Sequence, residues 1–254
     1  MKYHYMEQSL IAPVHKVTIA VIGAGGTGSS VLAILGRMNA GLIGLGHPGF
    51  FVRCYDPEEV SQANIGRQLF SEVDLGRNKS DVTIERINRF YSTNWDSYSE
   101  KFEIDFENPR IQYNIIITCV DNVQIRRDIQ KVKTKLRTEQ PYNTCYYWLD
   151  FGNGNNYGQA ILGTMGHINQ PKGAKCITMP TIIEMEKTLG KLIENDDTPS
   201  CSTLEALNRQ DLLVNSTLAE FGMNLLWKLF RQYRTSQNGI FMNLDKMIVN
   251  PIKL

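Results

Sequence analysis

The chain has 254 residues, 42% of them apolar, with 27 basic and 26 acidic side chains and a formal net charge of +1. That length supports a buried core, and the balanced charge favours neither a nucleic-acid partner nor a membrane surface. No run approaches the roughly 18 apolar residues that span a bilayer, and the N-terminal segment lacks the layout of a signal peptide. We therefore expect a cytoplasmic protein with no membrane association and no nucleic-acid partner.

Apolar runs alternate with amphipathic segments along the first half of the chain, a rhythm typical of parallel α/β folds. It predicts strands at 17–22, 50–55 and 114–119, and helices at 29–39, 74–90 and 123–136. Further on, strands are predicted around 148–153 and at 157–164, then an irregular stretch at 166–200 and a long helix from about 204 to 234. The fold class is thus α/β, a Rossmann-like, mostly parallel β-sheet flanked by helices, with additional C-terminal strands and a long C-terminal helix.

The first predicted strand runs into a glycine cluster, KVTIAVIGAGGTG, with Gly23, Gly25, Gly26 and Gly28. A strand that ends in glycines and opens a helix directs backbone N–H groups at a phosphate, at the positive end of the helix dipole. Asp56 closes the second predicted strand, where a carboxylate accepts hydrogen bonds from ribose hydroxyls. Both features serve NAD enzymes as well as ATP enzymes, so they predict a nucleotide without choosing between these two classes.

Polar residues downstream favour ATP. They are Asn64, Arg67, Gln68, Lys79 and Asp121. A nucleotidyl transferase must neutralise a triphosphate whose charge grows at the leaving pyrophosphate, and Asp121 follows a predicted strand where a carboxylate can hold Mg²⁺. Taken singly, each has an ordinary alternative: Arg67 as a solvated loop charge, Lys79 as a surface residue, Asp121 as a helix cap.

Together these motifs resemble the ThiF/MoeB/HesA superfamily of ubiquitin-activating-type adenylyltransferases. The motifs are GAGGTGS, the strand-ending Asp, S-x-x-N-x-x-R-Q-L-F, D-x-G-x-x-K and C-V-D-N, and they cover roughly residues 16–125. The C-terminal half, with YWLDFGNG and PSCSTLEALNRQDLL, is most similar to the ThiF-related family of the plasmid-associated PRTRC cassette. The resemblance implies one domain over residues 1–254, with a nucleotide-binding half at about 16–145 and a half for the acceptor or thiol at about 146–254.

The resemblance also implies roles for individual residues. The four glycines would approach the nucleotide phosphates and Asp56 the ribose; Asn64, Arg67, Gln68 and Lys79 would contact the nucleotide, and Asp121 would hold Mg²⁺. Arg67, Lys79 and Asp121 would then be catalytic, with ATP and Mg²⁺ as cofactors. The expected partner is a small β-grasp carrier protein whose C-terminal carboxylate is adenylated, and relatives of this kind lead us to expect a homodimer.

Two departures from the family pattern stand out. Members often bind zinc through paired C-x-x-C motifs, but here Cys176 and Cys201 are single, so we expect no zinc site. Members often receive an arginine from near the partner's N terminus, whereas the first arginine here is Arg37, within a predicted helix; His4, His15 or Lys16 would have to take its place.

Cys201 precedes a predicted helix, where the helix terminus favours a thiolate, so a catalytic thioester is one interpretation and an ordinary structural cysteine the other. Two other functions stay open. A non-catalytic ATP-binding or scaffold module would share every motif. An NAD(P)-dependent oxidoreductase would use Gly23, Gly28 and Asp56 but leaves Asn64 and the two cations without a role.

Overall fold

An eight-stranded sheet organises the described part of the molecule, beside a small two-stranded antiparallel sheet formed by residues 4–5 and 234–235. The computed structural model describes residues 2–104, 112–133, 144–172, 175–189 and 210–254. The strands there are β1 (His4–Tyr5), β2 (Val17–Ile22), β3 (Phe50–Tyr55), β4 (Asp96–Tyr98), β5 (Ile115–Thr118), β6 (Tyr147–Asn153), β7 (Tyr157–Thr164), β8 (Arg234–Thr235), β9 (Gln237–Asn243) and β10 (Ile248–Lys253). The helices are α1 (Gln8–Ile11), α2 (Gly26–Gly44), α3 (Lys79–Tyr91), α4 (Val123–Lys133), α5 (Ile182–Leu189) and α6 (Val214–Gln232).

The sheet has the order β10-β9-β7-β6-β5-β2-β3-β4. Strands β6, β5, β2, β3 and β4 are parallel, and β7, β9 and β10 extend the sheet in antiparallel fashion. The predicted Rossmann-like, mostly parallel sheet flanked by helices is therefore confirmed. From β2 the chain proceeds outward through β3 to β4, then returns to place β5 on the other side of β2, so β2 and β5 flank the point where ligands of such sheets bind.

Helices cover both faces of the parallel strands. On one face α2 and α6 pack together and against the sheet, through Val31 and Leu35 of α2 and Leu218 and Leu226 of α6. On the other face α4 and α5 contribute buried apolar residues such as Ile129. Burial on both faces explains why β5 is the continuous apolar run IIIT, with every residue buried.

Some element boundaries differ from the prediction. The third helix starts at Lys79 rather than residue 74, because Gly76 has a φ of +75° and the Asn78 side chain caps the helix by accepting from the N–H groups of Ser80 and Asp81. Helix α2 is longer at both ends than 29–39. Residues 134–136 and 204–209 of two other predicted helices lie outside the described residues, and residues 210–213 are described but not helical, so α6 begins only at Val214.

Helix α5 lies in a stretch that the sequence analysis left irregular. Its first turn carries a reciprocal cap, in which Thr181 N donates to the Glu184 carboxylate and Glu184 N donates to the Thr181 hydroxyl. That T-x-x-E spacing is visible in the sequence as a capping box, and the sequence analysis overlooked it. The β9–β10 hairpin at the C-terminal end was also not predicted.

Two helical glycines test the packing of the helices on the sheet. A Cβ on Gly222 of α6 would overlap the Phe151 ring and lie 2.7 Å from the Ala160 side chain, whereas one on Gly44 of α2 would meet nothing within 4 Å. We expect Gly222→Ala to lower the free energy of unfolding by about 1–3 kcal/mol through overpacking. Gly44→Ala should be neutral or stabilising by about 0.5 kcal/mol, and chemical denaturation of both variants measures the difference.

Candidate nucleotide site

The turn between β2 and α2 lies at the carboxyl ends of β2 and β5. Gly23 has a φ of +94° and donates its N–H to the Tyr55 carbonyl at the end of β3 (2.8 Å). Gly25 is the N-cap of α2 and provides no side-chain cap. Since the first N–H groups of a helix lack intrahelical acceptors, this end of α2 is suited to an anion.

The four glycine positions differ in why they exclude a side chain. A Cβ on Gly23 would lie 2.7 Å from the Cys119 carbonyl oxygen, one on Gly28 would fall on the Gly23 carbonyl, and one on Gly26 would lie 2.6 Å from the Asn215 amide nitrogen. The protein's own atoms therefore require these three glycines. Only Gly25 would direct a Cβ into open space among the four, so it is the glycine of the motif whose missing side chain leaves room for a ligand.

Asp56 is buried directly after β3 and holds the turn. Its Oδ2 accepts from Ala24 N at 2.6 Å and its Oδ1 from Glu58 N at 2.8 Å. Burial raises the pKa of Asp56, although the two N–H donors and the Lys79 charge act against that rise. The predicted ribose contact would have to share these oxygens.

Lys79 lies in the first turn of α3 and is almost fully buried. Its Nζ forms an ion pair of 2.5 Å with Glu58, whose side chain is 69% exposed. Because a buried ammonium needs a partner, Glu58 satisfies the charge of Lys79. An incoming phosphate would compete with a solvated carboxylate, which is a weak competitor.

Arg67 and Gln68 provide buried polar atoms without partners. Among the described residues, Arg67 Nε and Gln68 Oε1 are shielded from solvent and make no hydrogen bond. Arg67 Nη1 donates to Gln210 Oε1 at 2.9 Å, and burial lowers the pKa of Arg67 while the nearby charge of Asp121 opposes that effect. Orphaned buried polar groups are rare in folded proteins, and here they fit a nucleotide that supplies the missing acceptor and donor.

Asp121 is exposed three residues after β5, on the same side of the sheet as the turn. Its carboxylate is near enough to Arg67 and Arg126 to influence the pKa of each. The described residues contain no group of three His, Cys, Asp or Glu side chains placed to hold a metal ion. A single carboxylate fits Mg²⁺, which usually takes one or two protein ligands and fills its shell with phosphate oxygens and water.

Asn64 is buried but occupied locally. Its Oδ1 accepts from both the N–H and the hydroxyl of Ser61, at 2.9 and 3.0 Å, and so caps the short 3-10 turn Gln62–Asn64. The amide nitrogen is the part of Asn64 that could serve as a phosphate donor.

A cluster of amide side chains that the sequence analysis missed lies over the turn. Asn215, at the start of α6, accepts from the Thr27 hydroxyl (2.9 Å) and from Asn153 (2.8 Å), and donates to Gln210 (2.8 Å). Asn215 is 4% exposed. Gln210 is five positions from Asn215, but Asn153 and Thr27 are 62 and 188 positions away, so no local motif indicates the cluster.

A second missed feature is a buried ion pair beneath Asp121. Arg126 Nε donates to Asp150 Oδ1 at 2.7 Å, and both side chains are less than 5% exposed. The same oxygen accepts from Thr118, while Arg126 Nη2 donates to the Phe151 carbonyl. Burial raises the pKa of Asp150, and the Arg126 charge opposes that rise.

The cysteines within the described residues differ in how far they are buried. Cys201, the predicted nucleophile, lies outside the described residues. Cys54 and Cys145 are buried, Cys119 is half-buried, and burial raises the pKa of all three thiols, which disfavours a thiolate. Cys176 is half-buried next to a bridge with Tyr3.

The N-terminal groups considered as substitutes for a partner arginine differ in accessibility. His4 is fully buried, with its ring nitrogens bonded to the Ile177 carbonyl and the Tyr147 hydroxyl, so it cannot take that role. Lys16 and His15 are exposed. Arg37 lies on α2 and forms a surface ion pair with Glu220 of α6.

The fold defines a Rossmann-like α/β protein with a candidate nucleotide site at the carboxyl ends of its parallel strands. Residues 5–188 match the model of the ThiF family, which is most of the chain. The chain belongs to the ThiF family, and the resemblance to that superfamily drawn from the sequence is confirmed.

A curated relative and solved structures are also similar. The ubiquitin-like modifier-activating enzyme 5 of Drosophila willistoni is 28% identical over an alignment of 130 residues, which covers 46% of this chain and 30% of the relative. The structure of PaaA aligns with 93% of this chain and 64% of its own, with a TM-score of 0.60 and 14% identity. The E. coli MccB structure with ATP aligns with 93% and 63%, with a TM-score of 0.54 and 18% identity. The chain thus spans less than two thirds of each of these proteins, and the structural likeness concerns the fold.

No helix among the described residues has the length and apolarity needed to cross a membrane.

The glycines of the turn give a paired stability prediction. Gly28→Ala should cost about 3 kcal/mol or more, because the new Cβ would overlap the Gly23 carbonyl, which is backbone and cannot rotate away. Gly25→Ala should cost about 1 kcal/mol or less, the scale of an N-cap change. Thermal unfolding compares the two variants; similar losses would contradict the assignment of separate roles.

The buried ion pair gives a second prediction. Asp150→Asn removes the charge that compensates Arg126, and we expect a loss of about 3 kcal/mol in the free energy of unfolding. The matched control is Asp128→Asn, which affects the solvated pair with Lys131 (2.9 Å) and should change stability by about 0.5 kcal/mol or less. Equal effects in urea denaturation would show that burial of the pair carries no special weight.

Proposed function

We propose that this protein is an ATP-dependent adenylyltransferase that activates the C-terminal carboxylate of a small carrier protein. The observation that carries the proposal is the half-buried Arg67, whose Nε has no partner among the described residues and which lies near Asp121. A dinucleotide dehydrogenase has little need of an Asn, an Arg and a Lys gathered around its phosphates, whereas transfer of a nucleotidyl group from a triphosphate requires such neutralisation of charge.

The proposed reaction needs little covalent chemistry from the protein. A carboxylate oxygen of the carrier attacks the α-phosphorus of ATP, the bond from that phosphorus to the bridging oxygen breaks, and pyrophosphate leaves with the bond electrons. The product is an acyl-adenylate. Arg67 and Lys79 would stabilise the charge that develops on the departing phosphates, and the turn at Gly25 would orient the phosphate chain.

Asp121 would hold Mg²⁺, which supplies charge neutralisation on the phosphates when bound. The fit is consistent with one exposed carboxylate at the end of β5. Gln68 Oε1 is a buried acceptor without a partner in the described part of the chain. It would accept a hydrogen bond from a hydroxyl or amino group of the ligand.

Finer parts of the proposal rest on kinship. They are a β-grasp fold for the carrier, transfer of the acyl group to Cys201 as a thioester, assembly as a homodimer, and membership of the PRTRC-associated branch. Each is open to its own test: analytical ultracentrifugation for the dimer, and a thiol-sensitive adduct that Cys201→Ala abolishes for the thioester.

Exchange of labelled pyrophosphate into ATP tests the proposal. In the presence of the carrier, exchange is expected because adenylation is reversible. Binding of ATP–Mg²⁺ by calorimetry without exchange would favour the alternative, a nucleotide-binding scaffold. Binding of NAD(P) in preference to ATP would overturn both.

The two cations of the site give a mutational prediction. We expect Arg67→Ala and Lys79→Ala each to reduce the exchange rate by about 100-fold or more, the scale for removing one electrostatic donor. Arg89→Ala and Lys131→Ala are the matched controls, because both side chains lie on exposed helix faces in surface ion pairs. Exchange that survives in the first pair at control levels would contradict the assigned roles.

A further inference from the structure

Gln210 connects the candidate phosphate arginine to the glycine turn through one atom. Its Oε1 accepts from Arg67 Nη1 at 2.9 Å and from Asn215 Nδ2 at 2.8 Å. Asn215 in turn lies against Gly26, where a Cβ would come within 2.6 Å of its amide nitrogen. One amide oxygen therefore fixes the separation between the Arg67 guanidinium and the start of α2.

Gln210 is itself held by the turn between β6 and β7. Its Nε2 donates to the Gly154 carbonyl at 3.3 Å, and the adjacent Asp211 N donates to the Asn155 carbonyl at 2.8 Å. Strand β6 lies beside β5 in the sheet. The support behind Arg67 is thus the β6–β7 hairpin, which is paired along its length, and supports built on strands hold a functional side chain in a productive geometry.

The chemistry of the support matters as much as its position. An amide oxygen accepts from Arg67 without neutralising its charge, whereas a carboxylate there would form an ion pair. A guanidinium that is fully charged, half-buried and held by a neutral acceptor attracts an anion more strongly than one already paired.

We infer that Gln210 is a positioning residue that holds Arg67 in place for a nucleotide phosphate without satisfying its charge. The inference rests on the proposed function only for the identity of the anion. The order of Arg67 in the ligand-free protein is independent of it.

The first measurement needs no ligand. The NMR signal of the Arg67 Nε–H group, assigned by its loss in Arg67→Lys, reports the order of the guanidinium. We expect Gln210→Ala to lower that order and Gln210→Glu to maintain it. Gln130→Ala is the control, since Gln130 also uses its amide oxygen in a side-chain bond, to Thr181, but on the α4–α5 surface; it should leave the signal unchanged. An unaltered Arg67 signal in Gln210→Ala would overturn the inference.

The second measurement is titration with ATP–Mg²⁺ by calorimetry. Gln210→Ala should weaken binding about tenfold, since it removes a bond to a charged group and frees the side chain. Gln210→Glu should weaken binding at least as much, because its carboxylate would pair with Arg67 and compete with the phosphate, while that ion pair offsets in stability the lost bond to the Gly154 carbonyl. A merely structural glutamine predicts the reverse, that a variant with full stability binds ATP normally, and that result would overturn the inference.

The two measurements distinguish failure of the proposed function from failure of this inference. A wild type that binds no ATP–Mg²⁺, yet loses Arg67 order in Gln210→Ala, would retain the positioning role and refute the nucleotide. Should Gln210→Ala fail to fold, Gln210→Glu still decides the matter, because it keeps an oxygen that can accept from Arg67 and Asn215 and gives up only the 3.3 Å bond from Nε2 to the Gly154 carbonyl.

Discussion

The contact of Gly28 with the Gly23 carbonyl is the constraint on which the rest of the site depends. It lets α2 begin directly against the end of β2, with no room for a side chain between them. The Cys119 carbonyl at the end of β5 closes on Gly23 from the other side, and the Asp56 carboxylate binds Ala24 N at 2.6 Å. Three parallel strands therefore converge on one turn. Its backbone is fixed by the protein's own atoms, so an anion would meet N–H groups that need no reorganisation.

The three cations around the turn differ in their hydrogen-bond partners. Lys79 is paired with Glu58, and Arg126 with Asp150, in bonds of 2.5 and 2.7 Å. Arg67 instead donates to the neutral Gln210. Burial lowers the pKa of Arg67 more than the nearby Asp121 charge raises it, so a further anion would stabilise the charged guanidinium. Among these three buried or half-buried cations, Arg67 is therefore the candidate for contact with an anionic ligand.

The sequence predicts a structural feature well when the residues that determine it are close together in the chain. The parallel strands, the glycine turn and Asp56 follow from apolar runs and from residues adjacent in the chain, and the structure brings them together as expected. The start of α3 at Lys79 and the cap of α5 at Thr181 depend on short-range hydrogen bonds. The capping residues can be recognised in the sequence, but the prediction relied on apolar periodicity, which does not mark where a helix begins. Asn215 and Asp150 belong to another category, since they act through partners far along the chain. The spacing of the motif also does not show that Gly25 and Gly26 have different roles. A side chain at Gly26 is excluded by Asn215, which lies 189 positions later in the chain.

The supports of the site also extend past the region that defines the family. The family match ends at residue 188, whereas Gln210 and Asn215 follow it. The matched region contains the groups that would contact a nucleotide, and the later residues determine how those groups are held. The two regions are joined by β6, whose Asp150 fixes Arg126 and whose Asn153 bonds to Asn215. A substitution at Gln210 or Asn215 would therefore act on the candidate nucleotide site through hydrogen bonds, without any contact to a nucleotide. Because those bonds end on Arg67 and on Thr27 beside the glycine turn, such a substitution would change how the charge of Arg67 is placed relative to the turn.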